Sequence, residues 1–201
     1  MSSAGVVLAG GASRRMGRPK QLLPVGGRPL LEHVVAQACA SRLDEVVVVL
    51  GAGAEAIRAQ VDLGRARAVV NADHAAGMSS SLRAGLAALG SDVERAVVVL
   101  GDQPAVTAEL VDRLLDLQAG SGLPSAAMDF GGLLHPPVVL RRELWGDLAA
   151  LEGDVGCRAL IRARPELVAA LPAAADARHP VDVDTPEDYE RLLRVQRVGS
   201  R

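Results

Sequence analysis

Gly5-Val6-Val7-Leu8-Ala9-Gly10-Gly11-Ala12-Ser13-Arg14-Arg15-Met16-Gly17-Arg18-Pro19-Lys20 begins as an unbroken apolar run, stops at two glycines and passes into a cationic loop. A run without polar alternation suits a strand buried on both faces, as in a parallel sheet covered by helices. The pattern recurs at Glu45–Leu50, Ala68–Val70 and Arg95–Leu100. Between these runs, helical spacing predicts α-helices over 29–40, 54–62, 78–89 and 107–118, the last with Thr107 as N-cap. This alternation of strand and helix predicts an α/β, three-layer fold with a mainly parallel central sheet. Beyond Gly120-Ser121-Gly122 the rhythm loosens. Strands are expected near 124–128, 136–140, 167–171 and 180–183, and helices near 142–150, 156–163 and 186–197. No composition break divides the chain, so residues 1–201 read as one domain with a flexible tail from about 196.

The composition narrows the function. The 22 Lys+Arg against 24 Asp+Glu leave no basic excess of the kind a general nucleic-acid binder carries. Aromatic residues are 1% of the chain, too few for base-stacking platforms. No apolar run approaches the roughly 18 residues of a membrane span. The short run before Gly10 lacks the layout of a signal peptide. Cys39 and Cys157 have no metal-ligand spacing and read as two buried thiols in a reducing cytoplasm.

The loop after the first strand fits neither standard nucleotide motif. The G-x-x-x-x-G-K-[ST] spacing is absent, and Gly51-Ala52-Gly53 lacks the third glycine of G-x-G-x-x-G. What remains is a glycine pair with Arg14, Arg15, Arg18 and Lys20 close behind, a trap suited to a triphosphate. Lys20 is the sole lysine; the other 21 cationic residues are arginines. Either that is chance, or it marks a place where a compact ammonium on a flexible stem is needed and a planar fork will not fit.

Three more stretches carry chemistry. Gly101-Asp102-Gln103-Pro104 puts a carboxylate at the carboxyl end of a buried strand, facing the same crevice, where Mg²⁺ takes one or two carboxylates plus substrate phosphates. In Asp182-Val183-Asp184-Thr185-Pro186, Thr185 suits an N-cap and Pro186 the first helical position. Asp182 and Asp184, alternating on a short strand, are expected to share one face and point at one site. Asn71 and the Ser79-Ser80-Ser81 run after Gly77 offer hydroxyls and N–H groups, which serve a ligand or an ordinary helix cap equally well. His135-Pro136 and Gly153-Asp154 are weaker signals, and His33 and His179 read as structural or solvated.

Taken in order, Leu8-Ala9-Gly10-Gly11-x-Ser13-x-Arg15-Met16-Gly17-x-x-Lys20, Gly77-Met78-Ser79-x-Ser81-Leu82, Gly101-Asp102-Gln103-Pro104, His135-Pro136 and Asp182 through Asp188 resemble the Rossmann-like nucleotidyltransferases of the nucleotide-diphospho-sugar transferase type. Among these the chain is most similar to the branch that attaches a nucleotide to molybdopterin. The resemblance implies that Leu8, Ala9, Gly10, Gly11 and Ser81 hold base and ribose, within a nucleotide site that includes Ser13, Arg14, Asn71 and Ser79. It implies Arg15 and Lys20 on the triphosphate, Mg²⁺ on Asp102 and Asp184 with Asp182 beside them, and His135, Gly153 and Asp154 towards the acceptor. Lys20, Arg15 and Asp102 would be the catalytic set. Ala9-Gly10-Gly11 resembles the guanylyl branch, while the serine run and the Asp182/Asp184 pair resemble the cytidylyl branch, so CTP is expected over GTP on two features against one. The implied partners are the nucleotide, the molybdopterin cofactor and a molybdoenzyme or its chaperone, with no nucleic acid and no membrane. Two other readings stand beside this one: the same core with another phosphorylated acceptor, and a non-catalytic nucleotide-binding chaperone for the cofactor.

Overall fold

The computed structural model describes residues 1–13, 16–173 and 182–199. The opening run forms β1 (Ser3–Ala9), and the other apolar runs form β4 (Glu45–Leu50), β5 (Arg67–Val70) and β6 (Arg95–Leu100). β7 (Ser125–Asp129), β8 (Leu134–Arg141) and β9 (Val168–Pro172) complete a seven-stranded sheet in the order β5-β4-β1-β6-β8-β7-β9. β1 pairs in parallel with both β4 and β6, while β8 runs antiparallel to β6 and β7, so β8 alone opposes the other six. β2 (Pro24–Val25) and β3 (Arg28–Pro29) make a small separate hairpin that no sequence signal marked.

Strand alternation explains the three layers. Val7 and Ala9 face one core with Val46, Val48, Val97 and Val99, covered by α1 (Leu30–Ala40), α2 (Ala54–Gln60) and α4 (Ala108–Ser121). Val6 and Leu8 face the other with Val47, Val49 and Val98, covered by α3 (Met78–Ala87), α5 (Trp145–Ala149) and α6 (Cys157–Ala163). Burial on both faces is why these strands carry no polar alternation. As expected, Thr107 caps α4, its hydroxyl accepting the Leu110 N–H at 3.2 Å. α7 (Pro186–Gly199) runs through residues expected as tail and packs Tyr189 and Leu192 onto Leu23, Val25, Leu30 and Val183. Among the described residues no helix is long and apolar enough to cross a membrane.

From β1 the chain moves outward to β4 and β5, then returns to place β6 on the other side of β1. That reversal opens a crevice at the carboxyl ends of β1 and β6, the place where open α/β sheets bind ligands. Gly10 and Asp102 both stand at it.

Two expectations need correction. The strand expected near 180–183 is not formed at Asp182 and Val183; Pro180 and Val181 lie outside the described residues. The main chain there has other partners: the Val183 N–H donates to Asp102 O at 3.2 Å, and the Thr185 N–H to Asp188 Oδ2 at 3.0 Å. Of the two thiols expected to be buried, Cys157 is and Cys39 is only half-buried. Burial pushes the Cys157 thiol up to about 12, which leaves it un-ionised and unreactive.

Candidate active site

Gln21, one residue past the lone lysine, builds the first turn. Its buried side-chain amide donates to Ala9 O at 2.8 Å and to Gly11 O at 3.1 Å, tying the glycine turn to the loop that carries Lys20. The Ser13 hydroxyl accepts the Lys20 N–H at 3.0 Å, so Ser13 organises this loop from within. Arg14 and Arg15, expected on the nucleotide, and His179 lie outside the described residues.

Lys20 Nζ then reaches across the crevice. It donates to Asp102 Oδ2 and, at 2.9 Å, to Asp184 Oδ1. Asp184 is delivered there by the start of α7. Thr185 Oγ1 accepts the Asp188 N–H at 3.2 Å, and Asp188 Oδ2 accepts the N–H groups of Thr185 and, at 3.3 Å, of Asp184. This is a capping box with aspartate in the place of the usual glutamate. The Asp102 carboxyl is 8% exposed; burial pushes its pKa up, against the pull of Lys20. Burial pulls the Lys20 ammonium down, but Asp102 and then Asp184 outweigh it, and Lys20 ends above its ordinary value.

Asp182 and Asp184 both line one cavity but engage different partners. Asp182 Oδ1 accepts from Gln103 Nε2 at 2.7 Å, and its other oxygen lies 3.6 Å from His135 Nε2 and 3.9 Å from Arg158. Without a strand to impose a two-residue period, Asp182 turns towards β8 and α6 while Asp184 turns towards Lys20. His135 is 3% exposed and does not line the cavity around Lys20, where an acceptor contact was expected; burial lowers its pKa. The expected outcome is that Asp182→Asn lowers turnover less than about 10-fold, against ~10²–10³-fold for Asp184→Asn. Parallel pyrophosphate-release rates check this, and a larger loss at Asp182 would reverse the assignment.

Asn71 and Ser79 also stand behind the crevice surface. Asn71 Nδ2 donates to Ser80 Oγ at 2.8 Å and to Ser81 Oγ at 3.1 Å, so it aims Ser81 at the cavity. Ser79 is fully buried, and its N–H donates to Gly153 O at 3.2 Å. Neither Asn71, Ser79 nor Gly153 lines the cavity, whereas Asp154 does. A Cβ on Gly10 would stand 2.8 Å from Ser81 Oγ, so the glycine there makes room for this serine.

The result is a cavity of about 630 Å³. One side is the turn from Leu8 to Ser13, another is Met78 and Ser81, and Asp154 and Arg158 line it too, with Lys20, Asp102, Asp182 and Asp184 as its other charged groups. The sequence reading missed Gln21, Gln103 and Arg158. A glutamine at the edge of Leu22-Leu23 is the one signal that marked Gln21.

The model of the MobA-like NTP transferase domain matches residues 5–179. The chain belongs to this nucleotidyltransferase family. It is 39% identical over 196 residues to the nicotine blue oxidoreductase of Paenarthrobacter nicotinovorans, covering 94% of this chain and 95% of that one. Among solved structures, the homologue of Mycobacterium tuberculosis Rv0371c from Mycobacterium sp. strain JC1 is 38% identical, with a TM-score of 0.85 and 98% of each chain covered. A complex of Rv0371c from Mycobacterium tuberculosis H37Rv with manganese is 33% identical, with a TM-score of 0.83, covering 96% of this chain and 99% of that one.

Proposed function

We propose that residues 1–201 form one cytoplasmic nucleotidyltransferase domain that transfers a nucleoside monophosphate from CTP to the terminal phosphate of the molybdopterin cofactor. An oxygen of the acceptor phosphate forms a bond to the α-phosphorus, the bond from that phosphorus to the bridging oxygen breaks, and pyrophosphate leaves with the electron pair. The acceptor oxygen is already ionised, so the site needs position and charge rather than a general base. The observation that carries this reading is Lys20 held between Asp102 and Asp184 over a glycine turn. The turn would take base and ribose, and Lys20 the charge that grows on pyrophosphate.

Asp102 and Asp184 would hold Mg²⁺. Asp102 Oδ1 is buried without a hydrogen-bond partner, which suits a hard cation. Among the described residues no three His, Cys, Asp or Glu gather to hold a metal, so two carboxylates would leave the remaining ligand positions to nucleotide phosphates. The ion, when bound, supplies Lewis-acid polarisation of phosphate oxygens. The manganese complex of the mycobacterial relative supports a divalent cation in such a protein.

CTP is favoured because the one feature resembling the guanylyl branch has a local cause. Gly10 is the residue that fits beside Ser81, whatever base is bound. Pyrophosphate release with each of the four nucleoside triphosphates, with and without molybdopterin cofactor, tests the proposal. CTP is expected to stand well above GTP, by about 10² or more. Gly10→Ala should lower activity with both by displacing Ser81. Release driven by GTP, or a preference that swings with Gly10→Ala, would overturn the base assignment. Nucleotide binding without release would favour the chaperone reading, and release with another phosphorylated acceptor would change the substrate. The relative named nicotine blue oxidoreductase adds one arm, a redox assay with nicotine blue, in which no turnover is expected.

A further inference from the structure

Lys20 is bracketed in the chain by contacts to one side chain, Tyr189 on α7. Ahead of it, the Arg18 guanidinium stands over the Tyr189 ring, 5.8 Å from the ring centre and within reach of a cation–π contact. Behind it, Pro24 O accepts the Tyr189 hydroxyl at 2.5 Å. Met16, Leu23 and Val25, from the same loop and the hairpin that follows it, pack in one cluster with Tyr189, Leu192 and Val183. Arg18 makes no ion pair among the described residues and does not line the nucleotide cavity, so its charge is directed at Tyr189. Tyr189 is also tied to Asp184. Its N–H donates to Thr185 O at 3.1 Å, the first helical bond of α7, and the capping box of Thr185 and Asp188 holds the Asp184 N–H. Asp188 is spent on that box, with Arg191 at 3.8 Å from its other oxygen. The helix that presents Asp184 to Lys20 therefore holds the loop that carries Lys20 as well.

A lysine stem is long and flexible, and holding its ammonium in one place costs side-chain entropy. A loop docked on both sides of that lysine meets part of the cost before any ligand arrives. We infer that Tyr189 is a positioning residue: with Arg18 it clasps the cationic loop to α7, so that Lys20 and Asp184 meet as parts of one unit. The effect on turnover rests on the nucleotidyltransferase reading above; the clasp itself does not. Tyr189 does not line the cavity and acts through Lys20. Arg18, drawn onto the ring, docks the loop and leaves the triphosphate to its neighbours.

Native trypsin digestion without nucleotide, with fragments identified by mass spectrometry, reads the clasp at the bond between Lys20 and Gln21; Arg18 precedes Pro19 and gives no competing cut. Tyr189→Leu keeps apolar bulk and removes both ring and hydroxyl, Tyr189→Phe keeps the ring, and Arg18→Met removes the cation. Cleavage after Lys20 should rise about 10-fold or more in Tyr189→Leu, about 5-fold in Tyr189→Phe and about 3-fold in Arg18→Met, the effects of losing a hydrogen bond or an exposed cation–π contact. Cleavage after Arg113, on α4, should stay at the wild-type rate in all three. In turnover, Tyr189→Leu should lower kcat about 10-fold and keep KM for the nucleotide within about 2-fold of wild type. Adding Arg18→Met to Tyr189→Leu should cost nothing more, and adding Tyr189→Leu to Lys20→Met should cost nothing either, since no ammonium is left to position. Equal rises in cleavage after Lys20 and Arg113, with kcat of the folded protein unchanged, would reduce Tyr189 to an anchor for α7 and overturn the inference. So would a raised nucleotide KM in Arg18→Met that adds to the Tyr189→Leu effect, which would put Arg18 on the triphosphate. Should Tyr189→Leu fail to fold, Tyr189→Phe and Arg18→Met decide by the same readouts. Absence of pyrophosphate release by the wild type with every nucleoside triphosphate would instead remove the transferase reading, with the tryptic rates still deciding the clasp.

Discussion

Lys20→Met is expected to lower nucleotide-dependent pyrophosphate release by ~10²–10³-fold, the loss that follows removal of one preorganised charge from a transition state. The fold should persist, because Lys20 sits in a short turn whose main-chain contacts, Lys20 N to Ser13 Oγ and Leu23 N to Lys20 O, do not involve its ammonium. The same substitution has an opposite effect on the metal. With the ammonium in place, Asp102 and Asp184 are already neutralised in part, and a divalent cation competes with a tethered one. With methionine there, the two carboxylates face each other without it, and Mn²⁺ binding in the absence of nucleotide should tighten by about 10-fold. Electron paramagnetic resonance of free Mn²⁺ reads that change independently of activity. A folded Lys20→Met protein with near wild-type release would remove Lys20 from the triphosphate. Unchanged Mn²⁺ affinity would show that the ammonium does not compete for these carboxylates.

The parts of this site that were legible in the sequence are those fixed by a strand end. Gly10 and Asp102 follow unbroken apolar runs, and a buried parallel strand delivers its last residue to the ligand crevice, so their placement needed only the pattern. Lys20 was legible by a different route, as the one ammonium in a chain that otherwise uses arginine. Asp182 and Asp184 line the same cavity, but no strand brings them there. Alternation assigns a face only to residues that are in a strand, and here a capping box and the Asp102 carbonyl take the main-chain N–H groups a ladder would need. His135 and Ser79 carry the right chemistry but face inward, because neighbouring backbone and Gln103 surround them. Gln21 and Arg158 act through long-range contacts, and no local period records that a glutamine will reach two carbonyls around a turn. The β2–β3 hairpin, two residues a side, is too short to show any period at all.

Gly77→Ala is the substitution expected to do most harm without touching a charged group. Gly77 has φ +101° and ψ −179°, a region that glycine occupies and other residues enter only under strain, at about 1–3 kcal/mol. Sterics add to this. A Cβ there would lie 2.3 Å from both the carbonyl carbon and the oxygen of Gly153 and 2.6 Å from the Asp154 nitrogen, all main-chain atoms that cannot rotate away. Relief requires the start of α3 and the 153–154 turn to part, which breaks the hydrogen bond from Ser79 N to Gly153 O. Both sides of the joint matter to the site: α3 brings Met78 and Ser81 to the nucleotide cavity, and Asp154 lines it as well. For a chain of this size a loss of about 3 kcal/mol lowers the melting midpoint by roughly 6–12 °C. Gly53→Ala is the control. Gly53 also has positive φ, at +71°, yet its Cβ would meet nothing within 4 Å, so only the conformational part, about 1 kcal/mol, should appear. Calorimetric melting of both variants, with nucleotide affinity measured alongside, separates the two causes. Equal losses at Gly53 and Gly77 would mean that backbone conformation alone matters. A larger loss at Gly77, accompanied by weaker nucleotide binding, would mean that the close approach of Gly77 to Gly153 holds the walls of the nucleotide cavity in register.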